Sequence, residues 1–444
     1  MSATQHTTSP PQSAALRSFA SQWRTRPADS LSPLRERALQ RFLALGLPTL
    51  SDETWRYTNL RSLAAQSFVD APQRAHGDLA PGAALSLLGE SAGATVVLVN
   101  GHALSPISDR LINGIEIHSL RDISQLDPML LQRYLEPLPD ADQQRWALLN
   151  TALFQDGLFI KITARCATPL VILHVASGDD ANAIAYPRII VEAAPGSGAT
   201  LIEQHVAQGE HTPLINSSTQ IFLGRDAQFE HYRVYATGAG ATHLDSLRIH
   251  QDKDSRCRQF TVALGGGLVR TNLEAHLDAP GASLESRSLL VGHEDRHVDC
   301  VNIVTHGAPD TRSAQTARAI AGDTSRLIFN SKVIVDAGAV RSQSQQSCRG
   351  LLLSPAAEID TRPQLEIHAD EVKCAHGATT GRLDPDMLFY MLSRGLDRET
   401  AQSLLVFAFL ADVLTGMSVE PARAAIEHAL ISQLPDSQTL RKFR

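Results

Sequence analysis

Residues 158–206 read LFIKITARCATPLVILHVASGDDANAIAYPRIIVEAAPGSGATLIEQHV, and four short apolar runs stand out in them: LFIKI, PLVILHV, RIIVEA and ATLIEQHV. Each run is bounded by Gly, Ala, Asp or Pro, residues that turn the chain or stop an element, so the stretch reads as short β-strands without helices between them. The same pattern begins at TVVLV, residues 95–99.

Downstream, a small or acidic pair recurs before each alternating run: Gly198-Ala199, Asp226-Ala227, Asp254-Ser255, Gly281-Ala282, Gly307-Ala308, Asp323-Thr324, Gly338-Ala339, Ala356-Ala357 and Asp370-Glu371. The intervals are roughly 26 to 28 residues at first and roughly 14 to 18 later. Quasi-regular corners are what a solenoid needs, because each coil buries its apolar residues on the one before. A mainly β fold with a parallel β-helix core accounts for this best. A β-sandwich stays open on pattern alone, although it needs no near-periodic corners.

Helical spacing flanks the strands. Residues 1–15 are polar and Pro-containing and read as a disordered tail. A helical region spans 16–90, with helices over Leu16–Arg26 and Pro33–Leu45, the second stopped by Gly46 and Pro48. Asp52–Leu60 predicts a connecting helix whose Trp55 and Tyr57 can anchor it to a neighbouring surface. The β-helix core is placed at 91–380. Asp384 as N-cap, Pro385 at the first helical position and Gly395 as a stop open a C-terminal helical domain over 381–444. Two further helices, about Arg398–Thr415 and Pro421–Leu434, complete it.

With 444 residues, 43% of them hydrophobic, the chain has material for a large core. A net charge of −7 without any dense basic run argues against nucleic acid and anionic lipid as partners. The longest apolar window, Leu404–Leu414, contains Asp412 and falls short of the ~20 residues that span a bilayer. Five scattered cysteines, Cys166, Cys257, Cys300, Cys348 and Cys374, include no CxxC pair and read as free thiols of a reducing compartment. A cytoplasmic protein without a membrane is expected.

Three motifs carry chemistry. His293-Glu294-Asp295-Arg296-His297 matches HExxH, which would make a zinc hydrolase if a helix set both imidazoles one turn apart. Gly292 before it and the alternating VDCVNIVTHG after it point instead to a β turn and strand, where residues four apart lie ~13 Å from each other. A local cluster with Cys300 and His306 has no support of its own. Gly265-Gly266-Gly267 lacks the GxxxxGK[ST] context of a phosphate loop and reads as a turn, so any ATP dependence belongs to another subunit. Lys373-Cys374-Ala375-His376-Gly377 sets a thiol and an imidazole two apart, on one face if the segment is a strand, where both can meet one metal or one partner. A buried small Cys374 and a hydrogen-bonded surface His376 is the plainer reading of the same residues.

The stretch RPQLEIHADEVKCAHGATTGRLDPDMLFYMLSRGL, 362–396, resembles the C-terminal signature of the SufB/SufD family, and its KCxHGAT core the SufD branch. The likeness extends through AQSLLVFAFLADVL and back to ETWRYTNL near the N-terminus. The SufB branch would show a Glu-rich sequence in place of KCAHG. The resemblance implies a right-handed parallel β-helix and a non-catalytic scaffold of iron–sulfur cluster assembly. It implies a heterodimer with SufB, the ATPase SufC on the C-terminal helical domain, and a transient cluster where the two solenoids meet. On that footing His376 is the ligand from this side, with Cys374 beside it as a structural or auxiliary residue. Cys348, in QSCRGLLLS, falls near where SufB carries a reactive cysteine and is a further candidate. Whether a flavin supplies electrons, and whether the isolated chain forms a homodimer, stays open. The alternatives are the HExxH zinc hydrolase and a carbohydrate-binding β-helix, which the 5% aromatic content disfavours.

Overall fold

The structure is a computed structural model and describes residues 13–73, 94–104, 113–136, 138, 144–178, 180–208 and 211–433. Its centre is a β-solenoid of about seven turns with helices at both ends. From Leu158 the chain alternates between two parallel sheets. One carries Arg188–Ala193, Ser218–Leu223, Thr242–Gln251, Leu268–Leu277, His297–His306, Arg326–Val335 and Glu358–Ile367 in adjacent order. The other carries Leu170–Ser177, Gly198–Gln208, Gln228–Tyr235, Arg256–Ala263, Ser283–Gly292, Arg312–Ala321, Gln343–Leu352 and Lys373–Gly381.

The register is held by corners. Gly196, Asp226, Asp254, Gly281, Asp310, Arg341 and Glu371 each lie two residues before a strand of the second sheet, with φ between 55° and 78°. That left-handed conformation favours Gly and Asp, which is why those residues mark the corners in the sequence. Successive corners are bonded to each other: Asp226 N donates to Lys253 O at 2.9 Å and Asp254 N to Pro280 O at 3.0 Å. At Gly281 a Cβ would come within 2.0 Å of Asp254 Oδ1. The change of interval along the sequence reflects which corners are visible: one per coil early, and later also those before the first sheet, such as Asp323 at φ 49°. The coil itself stays near constant length.

Both sheets are covered outside as well as inside. Val406, Leu410, Val413, Ile426 and Leu430 of the helices Arg398–Leu414 and Glu420–Ser432 pack on Tyr232, Val234, Phe260, Val262, Leu289 and Ile320. The N-terminal helices Ala14–Thr25 and Ser32–Leu45 join Arg145–Leu153 in an apolar cluster against the first sheet, with Phe19 and Phe42 at 6.5 and 6.0 Å from the Trp146 ring. No helix among the described residues is long and apolar enough to cross a membrane.

Three expectations change, and the turn-and-strand reading of HExxH holds. The first helix begins at Ala14, capped by Ser13, inside the segment read as tail; residues 1–12 lie outside the described residues. Asp52–Leu60 is not a helix but a strap with one 3-10 turn, Glu53–Trp55. Its Trp55 is buried with the Arg270 guanidinium 4.1 Å from the ring centre. Three helices, Leu120–Leu126, Pro128–Leu135 and Arg145–Leu153, interrupt the early part of the segment assigned to the solenoid. Finally, HExxH spans a corner: His293 follows the strand Ser283–Gly292, Glu294 sits at φ 56°, and His297 opens the next strand. The helix that zinc ligation by this motif requires does not form. His297 instead binds the strap, its Nε2 at 2.9 Å from Thr58 Oγ1. The Gly265–Gly267 turn is a tight corner, where a Cβ on Gly267 would lie 2.1 Å from Ala239 O.

Several buried histidines resist protonation. His306 pairs both ring nitrogens, with Thr311 Oγ1 at 2.7 Å and Ser313 Oγ at 2.8 Å, and burial pushes it down to about 4. Burial also takes His243 down to about 3. A depressed imidazole binds protons only in the unfolded chain between its two pKa values, so stability is complete above ~6.5 and falls with pH below it, by ~1.4 kcal/mol per unit per group. The urea midpoint is therefore expected to drop between pH 7 and pH 5, and less steeply in His306→Gln. Equal midpoints at the two pH values would refute this.

Candidate functional site at the open end of the solenoid

A solenoid stacks inward-facing residues in columns, and the columns here end in reactive side chains. In the second sheet His231, Gln259, Ser286, Gln315, Gln346 and His376 occupy one column, each paired with the next. Arg233, Thr261, Ser288, Ala317, Cys348 and Ala378 form its neighbour. Cys374 stands on Ser344. The strand Lys373–Gly381 is the last of its sheet, as Glu358–Ile367 is of the other. The partners one coil down, Ser344, Gln346 and Cys348, are buried, but His376 is exposed and Cys374 only half-buried. No coil among the described residues covers them.

Cys374 and His376 therefore share a face, on a strand, at the mouth of the lumen. Two residues of strand place their Cα atoms ~6.6 Å apart, a span that a thiolate and an imidazole can close on one ion. Cys348 lies one rung below and two positions along from His376, ~8 Å between Cα atoms at standard spacings. It is 2% exposed, and burial pushes its thiol up to about 12, with the nearby Arg318 only partly opposing this. Such a thiol stays protonated at neutral pH, so a ligand role for Cys348 would require the end of the solenoid to open. Burial also raises the Cys374 thiol, opposed by a backbone hydrogen bond at Ser344.

Two donors, one nitrogen and one sulfur, do not complete a four-coordinate iron or a cluster, which takes four protein ligands. The rim around them is exposed and polar, with Lys332 bonding Glu366 at 2.6 Å and Glu366 in turn bonding His368 at 3.0 Å. Among the described residues both terminal strands present unpaired backbone edges, and the helix that follows them in the chain, Pro385–Ser393, exposes Met387 at 59%, Phe389 at 71% and Tyr390 at 58%. Ile367 and Leu353 add to this apolar rim. Edges and apolar side chains of this kind are normally covered.

Of the other candidates, Cys300 lies in the lumen, 3.7 Å from Ser288 Oγ and 3.5 Å from Asn302 Oδ1, and is not gathered with His306, whose nitrogens are both occupied. The sequence alone does not show a buried cluster deeper in the lumen, around Glu203, because its histidines sit singly in short strands and the alternation there does not say which face is inside.

Two family models match the chain: the SufBD core domain of SUF-system iron–sulfur cluster assembly over residues 174–409, and the SufBD protein N-terminal region over residues 17–171. The iron–sulfur cluster assembly protein SufD of Escherichia coli is 29% identical over 91% of this chain and 93% of its own length. An iron–sulfur cluster assembly SufBD family protein of Synechocystis is 30% identical, with 84% of each chain covered. SufD of Bacillus subtilis is 23% identical over 63% of this chain and 64% of its own.

The five thiols separate by environment: Cys257, Cys300 and Cys348 are buried, and Cys166 and Cys374 are partly exposed. In the folded protein a small disulfide reagent should label Cys166 and Cys374 alone, the other three only after unfolding, and Cys374→Ser should remove one fast equivalent. Labelling of Cys348 as fast as Cys374 would mean that the last coil does not seal the lumen.

Proposed function

The chain belongs to the SufBD family of SUF-system iron–sulfur cluster assembly proteins, and from that premise we propose that it is a non-catalytic, SufD-type scaffold that completes a cluster site jointly with SufB. The observation that carries this is the open last coil: an exposed imidazole and a half-buried thiol on one face, too few ligands for a cluster, ringed by unpaired strand edges. A second solenoid abutting this end would cover the edges and bring the missing donors. His376 is then the ligand from this chain and Cys374 its neighbour, while the iron and sulfide are cargo. The cluster is transient, the work is cytoplasmic, and any flavin acts as electron donor to the complex.

The C-terminal helices suit a link to the ATPase SufC. Arg318 pairs with Asp412 on the helix Arg398–Leu414, and Arg287 donates to Asp412 O at 3.0 Å and Val413 O at 3.3 Å. Tyr232 Oη accepts from Ser418 N at 2.8 Å. These bonds, with the apolar layer beneath, tie the helices to strands two to five rungs below Lys373–Gly381 in the same sheet, so a displacement of the helices would be passed to the last coil through that sheet. The exposed Met387, Phe389 and Tyr390 supply the contact area for docking.

Reconstitution with SufB and SufC tests both halves. His376→Ala should leave assembly of the complex intact and reduce iron and sulfide loading at least tenfold; unchanged loading removes His376 as the ligand. Phe389→Asp, on an exposed position, should weaken SufC binding by tenfold or more without lowering the melting temperature of the free chain. Undiminished SufC binding would move the docking surface elsewhere.

A further inference from the structure

About 29 Å from the open end, six coils down at the standard spacing, the lumen holds a group of charged and metal-ligating side chains that the cluster site does not use. Glu203 is 0% exposed, His205 and Asp245 1% and His174 5%. The guanidinium of Arg233 organises them. Its Nη2 donates to Glu203 Oε1 at 2.9 Å and its Nη1 to Asp245 Oδ1 at 3.0 Å. One oxygen of each carboxylate is thereby taken, and the other is turned toward imidazoles. Glu203 Oε2 lies 2.9 Å from His174 Nε2, and Asp245 Oδ2, which accepts from the Tyr235 hydroxyl, lies 3.9 Å from His205 Nε2.

That last gap matters. It is too long for a hydrogen bond, and His205 Nε2 has no other partner. It is close to the separation of two donors on one ion, which at bonds of ~2.0–2.2 Å and a tetrahedral angle lie ~3.4 Å apart. One ligand atom from each of His174, Glu203 and His205 lies within 4.8 Å of the other two. The His174 and His205 rings are stacked at 4.3 Å, so an ion reaches both Nε2 atoms once one ring turns out of the stack, and the two rings border, with His243, a small cavity of about 10 Å³ that gives room for that turn. Two carboxylates face one guanidinium, which leaves negative charge buried for a cation to neutralise.

We propose that His174, Glu203, His205 and Asp245 form a buried site for one divalent first-row cation, zinc or iron(II), held through nitrogen and oxygen donors and separate from the cluster at His376. Arg233 and His231, which bonds Glu203 Oε1 at 2.7 Å, are positioning residues that fix the carboxylates. For His174 to offer Nε2 its proton moves to Nδ1, which has no partner. Because the site is sealed, the ion enters as the chain folds and leaves slowly.

The test is metal content of the full chain, grown with zinc and gel-filtered in EDTA, with a parallel Co²⁺ loading during refolding. About one ion per chain is expected, kept in His376→Ala and lost at least tenfold in His205→Phe, which preserves the ring stack on Tyr235. Co²⁺ should give weak tetrahedral ligand-field bands without the thiolate charge-transfer band that a cysteine site produces. No retained metal, equal content in His205→Phe, or loss only in His376→Ala overturns the proposal. Should His205→Phe fail to fold, the wild-type Co²⁺ spectrum decides alone: a thiolate band or no band refutes the site.

Discussion

In-register stacking of parallel strands is the constraint on which the rest of this molecule depends. At ~4.8 Å between rungs, every inward residue rests on the equivalent residue of the coil below, so a side chain that fits one coil is selected by the next. Leu247, Leu273, Asn302 and Ser331 make one such column, and Ile249, Ala275, Val304 and Val333 another. The backbone bonds that enforce the register are continuous from Leu158 to Gly381. What varies is the content of the columns, and it varies in the direction of polarity where the lumen carries Glu203, Arg233, Gln259, Ser286 and Gln346. These buried groups oppose stability unless each is paired, and so the network that pairs them is as much a part of the core as the aliphatic columns beside it.

The corners were legible because backbone geometry selects side chains there: a left-handed residue is Gly or Asp far more often than anything else. Glu371 was marked by the acidic pair Asp370-Glu371, but Arg341 holds the same conformation with nothing in its side chain to advertise it, and near Gly198, Gly307 and Gly338 the left-handed residue is Gly196, Asp310 and Arg341 instead. The pairing of Cys374 with His376 on one face followed from strand period alone. The lumen network was illegible for a definite reason. In QFEHYRVY the residues pointing inward are Phe229, His231, Arg233 and Tyr235, whereas Tyr232 and Val234 lie under the C-terminal helices. A two-sided burial makes apolar/polar alternation ambiguous, and the polar set is naturally assigned to water. HExxH shows the complementary point, because spacing in sequence carries no information about the element that realises it, and it was the flanking Gly292 and strand alternation that marked the corner; His297 serves to bind Thr58 of the strap.

The strap and the helices show how a solenoid with two buried faces is built. Trp55 with Arg270, and Thr58 with His297 and Asp299, tack the N-terminal segment onto the first sheet far along the chain. The C-terminal helices fold back over the second sheet, past the last strand and down its outer face as far as Tyr232. Each terminus thus clamps coils remote from it in sequence, which offsets the tendency of a repeat array to fray from its ends.

Fraying is the problem that the final coil leaves unsolved within the chain. Among the described residues Lys373–Gly381 and Glu358–Ile367 each have one neighbour, as do the strands at the opposite edge of each sheet, and the column above Gln346 stops at an exposed His376. An aliphatic cap would have closed the lumen at little cost. The chain instead places an exposed imidazole and a half-buried thiol there, beside strand edges that have no partner among the described residues. If His376 is a ligand as proposed, the surface left uncovered coincides with the donors left incomplete, and docking a partner and building a cluster site would be one event.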